Sequence, residues 1–201
     1  MGMNRFTDRT RSQRGVTLIE MLLVLGVMGV IGAMGTAQIA VVRRSLQGDG
    51  AMRLVMGQLN QAREMAVTQR RTMEVKFVGG VGGNWIQVLR HEVPGTATTT
   101  LSSMAFEGNV TYRLITGVTT DTPDGFGNAS ALAFGAATTY TFSTDGTLID
   151  GSGNPLNGTI FLAVGNIKGS QRAVTIMGGT GRVRGFKYAC NTNNVCAWNR
   201  V

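Results

Sequence analysis

The chain has 201 residues, of which 43% are apolar and 15% are charged, with 29 Gly and 3 Pro. This length suits one domain of ordinary size with an appendage, or two very small domains. The composition excludes a disordered chain and a collagen-like chain, and few charges beside many Gly, Thr and Asn favour an extracytoplasmic β-rich body. One His and two Cys leave almost no material for a histidine-based active site or a zinc site.

The net charge of +8 is unevenly distributed. Residues 43–73 are basic, residues 74–150 carry three cations and seven acids, and the chain after Asp150 carries six cations and no acid. Such asymmetry suggests a partner for the basic end, such as nucleic acid or another subunit.

Residues 16–42 form an apolar run in which Glu20 is the single charged residue. As a helix this run would be about 40 Å long, against about 30 Å for a hydrocarbon core. Residues 1–15 contain four Arg and one Asp, so this flank is expected to stay cytoplasmic. We predict a membrane span, with a cleaved signal peptide or a plain anchor as the alternatives. An acid at membrane depth costs about 2.5–3.5 kcal/mol, so Glu20 needs a function or a partner.

The segment RGVTLIE at residues 14–20 resembles the prepilin signature of type IV pilins and type II secretion pseudopilins. This resemblance implies that prepilin peptidase cuts between Gly15 and Val16 and methylates the new terminus. It implies three parts: a removed leader at 1–15, a transmembrane and filament-core helix at 16–42, and a periplasmic body at 43–201. The new ammonium of Val16 and the carboxylate of Glu20 on a neighbouring subunit would neutralise each other, which favours filament register.

The apolar run at residues 16–42 contains glycines at every third position, which would let helices approach closely in a membrane. The resemblance to prepilins implies three partners: other pilins through the N-terminal helix, prepilin peptidase and the inner membrane. The glycines are Gly26, Gly29, Gly32 and Gly35.

Helical spacing of apolar residues continues beyond the membrane, and the period then changes to that of strands. The predicted helical stripe is Met52, Val55, Met56, Leu59, Ala62 and Ala66. The predicted strands are 73–77, 85–89, 98–106, 110–115, 138–143, 159–164, 172–177 and 181–188. The fold class is therefore α+β, with one long helix packed on a mostly antiparallel β-sheet.

Four further segments resemble the GspH/FimT pseudopilin family: LNQAREMA at 59–66, TFSTDG at 141–146, RAVTI at 172–176 and GRVR at 181–184. The resemblance implies the type IV pilin-like fold and a minor pilin or pseudopilin that acts by packing rather than by catalysis. No catalytic residue, metal site or cofactor is expected. Asp121 with Asp124, and Asp145 with Asp150, are expected to cap turns rather than to bind calcium.

Cys190 and Cys196 are predicted to form a disulfide, because two nearby cysteines in a periplasmic chain normally pair. A zinc site would need more ligands, and His91 is distant in the sequence.

The basic C-terminal end has two alternative interpretations. Arg182 and Arg184 would share one face of a strand, with Lys187 on the opposite face unless a bulge at Gly185 redirects it. Gly181 would allow close backbone approach, and Arg172 could join the patch in space, together with Lys168 and Arg200.

In FimT-type minor pilins a GRxR motif is implicated in binding DNA during natural transformation, and the resemblance carries this role to residues 181–184. Such binding would be to double-stranded DNA of any sequence and would weaken with salt. The alternative is that these cations meet acidic residues of this or a neighbouring subunit, or are solvated.

Overall fold

The structure is a computed structural model that describes residues 15–80 and 84–201, without the side chains at 34–38, 40 and 41. The predicted leader before Gly15 and part of the Gly79–Gly83 turn lie outside the described residues. The described chain divides into two compact units, with the division between residues 41 and 42.

Helix α1 spans Leu18–Gln69. In the first unit its first turn is capped by Thr17, whose Oγ1 accepts a hydrogen bond from the backbone N–H of Glu20 at 3.3 Å. The large apolar side chains here are exposed, from 42% at Val24 to 78% at Leu18.

Across residues 15–80 and 84–201, the structure contains no helix with the length and apolar character that a membrane crossing requires.

In the second unit the C-terminal part of α1 buries one apolar stripe against β-sheets. Five members of the predicted stripe are completely buried and Met56 is half-buried, which confirms the stripe; the buried five are Met52, Val55, Leu59, Ala62 and Ala66. Gly48 permits a close approach, because a Cβ at this position would lie 2.7 Å from the carbonyl oxygen of Ser170.

Two antiparallel sheets pack in this unit. The first has the order β3-β2-β1-β6-β7, and the second has the order β11-β10-β9-β8-β4 with β5 also paired to β8. The strands are β1 (Met73–Val78), β2 (Trp85–His91), β3 (Thr98–Ala105), β4 (Val110–Tyr112), β5 (Leu132–Ala133), β6 (Tyr140–Phe142), β7 (Leu148–Ile149), β8 (Gly158–Val164), β9 (Arg172–Met177), β10 (Arg182–Cys190) and β11 (Cys196–Arg200). Short 3₁₀ turns occupy Lys168–Ser170 and Gly178–Thr180.

The second sheet is covered on both faces. One face joins the core beneath α1, and the other packs a separate apolar cluster in which Ile115 and Val118 from a long connection meet Phe161, Phe186 and Trp198. Every residue of β8 is therefore buried. The predicted α+β class, with a helix packed on mostly antiparallel strands, is confirmed, and the structure adds that the strands divide into two sheets.

Candidate functional site

The processing and assembly residues lie at the start of the described chain. Gly15 and Val16 precede the helix in non-helical conformation, and Glu20 is exposed in its first turn. A carboxylate at this position interacts favourably with the positive end of the helix dipole. Cleavage after Gly15 and pairing of Glu20 with a neighbour remain predictions.

Arg172 does not belong to the exposed basic surface that the sequence predicts. Its side chain is completely buried, and its Nε donates to Asp49 Oδ1 at 2.6 Å. Nη1 donates to the carbonyl oxygens of Gly169 and Gln171 at 2.9 Å, and Nη2 donates to Ser45 O at 3.2 Å and Oγ at 2.9 Å. The guanidinium therefore joins β9 to α1 and has no access to DNA.

Arg184 is also occupied within the chain. Its Nη1 forms an ion pair with Asp124 Oδ1, and the other carboxylate oxygen of Asp124 accepts from Thr175 Oγ1 at 2.5 Å. The carboxylate side chain is 8% exposed and the guanidinium side chain 26%. For Arg184 the interpretation as an ion-pairing residue rather than a DNA contact is therefore correct, because this cation of the C-terminal third meets an acid of residues 74–150.

The two glycines of the basic segment serve packing. Gly181 has φ +61° and caps the 3₁₀ turn, and a Cβ there would lie 2.7 Å from Arg63 Nε. A Cβ at Gly185 would lie 2.7 Å from Met56 Sδ and 3.1 Å from Met52 Sδ. Both glycines therefore accommodate side chains of α1. The close approach of the backbone that the sequence predicted at Gly181 is an approach to α1 within the same chain.

Four cations of the C-terminal third form no ion pair with any residue that the structure describes: Lys168, Arg182, Lys187 and Arg200. The β9–β10 register is unbroken, so Lys187 lies on the sheet face opposite to Arg182, as predicted without a bulge. Arg200 is directly opposite Phe186 and therefore shares the face of Arg182. Lys187 is half-buried and the other three are exposed.

Cys190 and Cys196 form the predicted disulfide, and they face each other as the last pair of the β10–β11 hairpin. The described residues contain no group of three His, Cys, Asp or Glu arranged to hold a metal ion.

In two of the acidic turns, the aspartate carboxylate accepts hydrogen bonds from residues of its own turn. The hydroxyl of Ser143 and the backbone N–H of Thr147 donate to Asp145, and they lower the pKa of that carboxyl from 3.8 to about 2. The backbone N–H of Asn154 is the main cause of a lowered pKa at Asp150. Both aspartates therefore act as predicted, whereas Asp124 acts as an ion-pair partner instead.

The sequence did not reveal the partners Asp49 and Asp124, because each is an isolated acid more than 50 residues from its arginine. It also did not reveal that three of the four family-like segments, at 59–66, 141–146 and 181–184, meet. A Cβ at Gly146 would lie 3.1 Å from Arg63 Nε, and the same guanidinium adjoins Gly181, so one residue of each segment contributes to this junction.

Residues 10–36 match the family model of the prokaryotic N-terminal methylation motif. This motif is the type IV prepilin signature, and the match includes Gly15, Val16 and Glu20. It supports a type IV pilin-like protein that is processed at its N-terminus, and the α+β fold agrees with a pilin-like fold. No curated protein and no solved structure matches the chain.

Proposed function

We propose that the chain is a non-enzymatic structural subunit of a type IV pilus or a type II secretion pseudopilus, in the manner of the GspH/FimT minor pilins. It is held in the bacterial inner membrane by residues 16–42, with its body in the periplasm, until it enters the filament. The methylation motif supports cleavage by prepilin peptidase and assembly with other pilins.

The observation that carries this proposal is the exposed apolar surface of the first helical turns. Leu18, Ile19, Leu22 and Leu25 are each more than half exposed, so this chain buries none of them well. At about 25 cal/mol per Å² of apolar surface, covering such side chains strongly favours association with lipid or with neighbouring helices. Glu20 lies within this surface and is the charged group that a neighbouring α-ammonium would neutralise.

Mass spectrometry of the chain from producing cells tests the processing step. The expected polypeptide begins with N-methylated Val16; an intact leader, or a start beyond the apolar run, contradicts the proposal.

Glu20→Ala tests assembly. The variant is expected to remain in the membrane fraction and to disappear from sheared filaments, because the neighbouring ammonium loses its counter-charge. Glu64→Ala is the matched control, since it removes an exposed acid of the same helix outside the apolar run. Normal incorporation of Glu20→Ala contradicts the charge pairing.

Deletion of the gene distinguishes the two machines. Loss of pilus-dependent motility or DNA uptake assigns the chain to a type IV pilus, whereas loss of protein secretion assigns it to a pseudopilus. The gene neighbourhood gives the same distinction at lower cost.

A second candidate function is sequence-independent binding of double-stranded DNA on the pilus, favoured by the exposed cations Arg182 and Arg200 on one face of the C-terminal hairpin. The full-length chain in detergent should then bind duplex DNA at low salt, and a joint change of both arginines to Gln should remove about two counterions from the salt dependence. Absence of salt-sensitive binding eliminates this function and leaves the structural one.

A further inference from the structure

The end of the second unit that directly follows the apolar run carries unpaired positive charge. Arg43 and Arg44 are exposed on α1 immediately after Val42, the first residue of this unit. Lys168 is exposed on the first 3₁₀ turn, and Lys187 is half-buried on β10. None of these four cations forms an ion pair with a residue that the structure describes. In the proposed topology they are periplasmic, whereas membrane proteins concentrate Lys and Arg on the cytoplasmic flank.

The fold brings these cations together around the buried guanidinium of Arg172. Its Nη2 donates to Ser45 O at 3.2 Å, and its Nη1 donates to Gly169 O at 2.9 Å. Ser45 follows the two arginines of α1 and Gly169 follows Lys168, so cations from distant parts of the sequence lie side by side. Lys187 joins them, because it pairs directly with Arg172 across β9 and β10.

Strand β10 runs along α1 in the opposite direction. Lys187 is level with Asp49, the partner of its neighbour on β9, and a Cβ at Gly181 would lie 2.7 Å from Arg63 Nε. Between these two levels the strand advances six residues, about 20 Å. The helix advances fourteen residues from Asp49 to Arg63, about 21 Å. The agreement of the two lengths shows that strand and helix are nearly aligned.

The disulfide-closed tip of the β10–β11 hairpin therefore reaches the same end of the unit. Beyond the level of Asp49 the strand continues for three residues to Cys190, about 10 Å. The helix covers the same distance in the seven residues back to Val42. Residues 191–195, which close the hairpin, are all exposed and carry no charge. The hairpin tip and the first residues of the second unit thus lie at one level along the helix axis.

Exposed apolar side chains accompany the cations at this end. Val42, Leu46 and Val195 are 57%, 63% and 64% exposed. Among the described residues of this end the unpaired acid is Glu107, on the loop after β3 that lies against Gln47. Four unpaired cations against one acid, with apolar side chains between them, match a bilayer surface with anionic headgroups. A nucleic-acid backbone would leave the apolar side chains without a partner.

We propose that this end of the body is a lipid-contact surface, which binds the anionic headgroups of the bilayer that holds the apolar run. The surface consists of residues 42–46, the Lys168–Ser170 turn, Lys187 and the hairpin tip. The cations contact lipid phosphates, and the apolar side chains enter the headgroup boundary. Because the contact is made by a helix, a turn and a hairpin, it holds the body in one orientation over the membrane before assembly. This inference rests on the proposed function, since it requires a membrane-anchored chain.

The experiment uses the full-length chain in vesicles of phosphatidylcholine alone or with phosphatidylglycerol, with a quencher on part of the headgroups. A fluorophore is attached at Gly169→Cys, an exposed position where a Cβ meets no atom within 4 Å, in a chain with no free cysteine among the described residues. Val67→Cys, 45% exposed and about 37 Å along α1 from Val42, carries the control probe. The probe at position 169 should be quenched in the anionic vesicles and should lose this quenching in neutral vesicles or in high salt. The control probe should show little quenching in any of these conditions.

Charge removal then tests the contribution of the cations. Arg44→Gln together with Lys168→Gln should lower the quenching in anionic vesicles to its level in neutral vesicles. Arg70→Gln together with Arg182→Gln is the matched control, because it removes the same charge from exposed positions at the far end of α1 and β10. This control should leave the quenching unchanged.

The outcomes separate this inference from the proposed function. Equal quenching in neutral and anionic vesicles overturns it, because anchoring alone would then explain the proximity to lipid. A doubly substituted chain that keeps its quenching but no longer enters sheared filaments also overturns it and assigns the cations to a neighbouring subunit. Either result leaves the filament function intact. A chain that floats with neither kind of vesicle has no membrane anchor and overturns both proposals.

Discussion

Asp49→Asn should destabilise the body because it leaves the buried Arg172 guanidinium without its counter-charge. The Arg172 side chain is 0% exposed and that of Asp49 is 27% exposed. Removing one partner of a buried ion pair costs about 3–5 kcal/mol. Since water reaches Asp49, we expect the lower end, about 3 kcal/mol, which for a body of this size lowers Tm by roughly 6–12 °C.

Arg172→Met should cost less than Asp49→Asn, about 1–2 kcal/mol, because methionine fills the buried space and the partly exposed Asp49 can regain hydration. The assay is thermal unfolding of the detergent-solubilised chain, followed by near-ultraviolet circular dichroism of its two tryptophans. Arg90→Met is the matched control, because the Arg90–Glu92 pair is about one-third exposed on each side and should shift Tm far less. An Asp49→Asn shift no larger than the control, or a larger shift for Arg172→Met, refutes this reasoning.

Three further outcomes are expected. Asp124→Asn should lower Tm and raise the rate at which a dicarbonyl reagent modifies Arg184, as read by peptide mass spectrometry; an unchanged rate would show that the ion pair does not protect this guanidinium. Gly181→Ala should destabilise by more than 1 kcal/mol in denaturant unfolding, because the left-handed φ and the contact with Gly146 both exclude a Cβ; wild-type stability would contradict that packing. In the folded protein the pKa of Asp145 is lowered from 3.8 to about 2. Its contribution to the free energy of unfolding is therefore complete above about pH 4 and is lost as the pH falls through 2. Asp145→Asn should abolish this part of the pH dependence, and an NMR titration midpoint near 3.8 would contradict it.

The fold could largely be predicted from periodicity, because burial imposes period 3.6 on a helix and period 2 on a half-buried strand. The stripe from Met52 to Ala66 and the start of strands β1 and β2 follow these periods. Strand β9 does not, because its sheet is covered on both faces and its first five residues are all buried. Strands β5 and β7 have two residues each, too few to display any period, and they are defined by their pairing with β8 and β6.

The ion-pair partners of the charged side chains could not be predicted from the residues next to them in the sequence. Arg172 and Arg184 are typical of a solvated basic surface when only their sequence neighbours are considered. In the folded chain Arg172 meets Asp49 and Arg184 meets Asp124. Ion pairing depends on distance in space and on burial, and neither quantity has a signature in the residues adjacent to an arginine.

The sequence by itself determined the processing motif, the apolar N-terminal run, the α+β class and the pairing of Cys190 with Cys196. Each of these depends on residues close together along the chain, so their spacing carries the physical information. Only the tertiary structure decided that the strands form two sheets, that Arg172 is internal, and that Arg63 meets Gly146 and Gly181. Those features arise from packing between distant segments, where burial and contact are properties of the assembled fold.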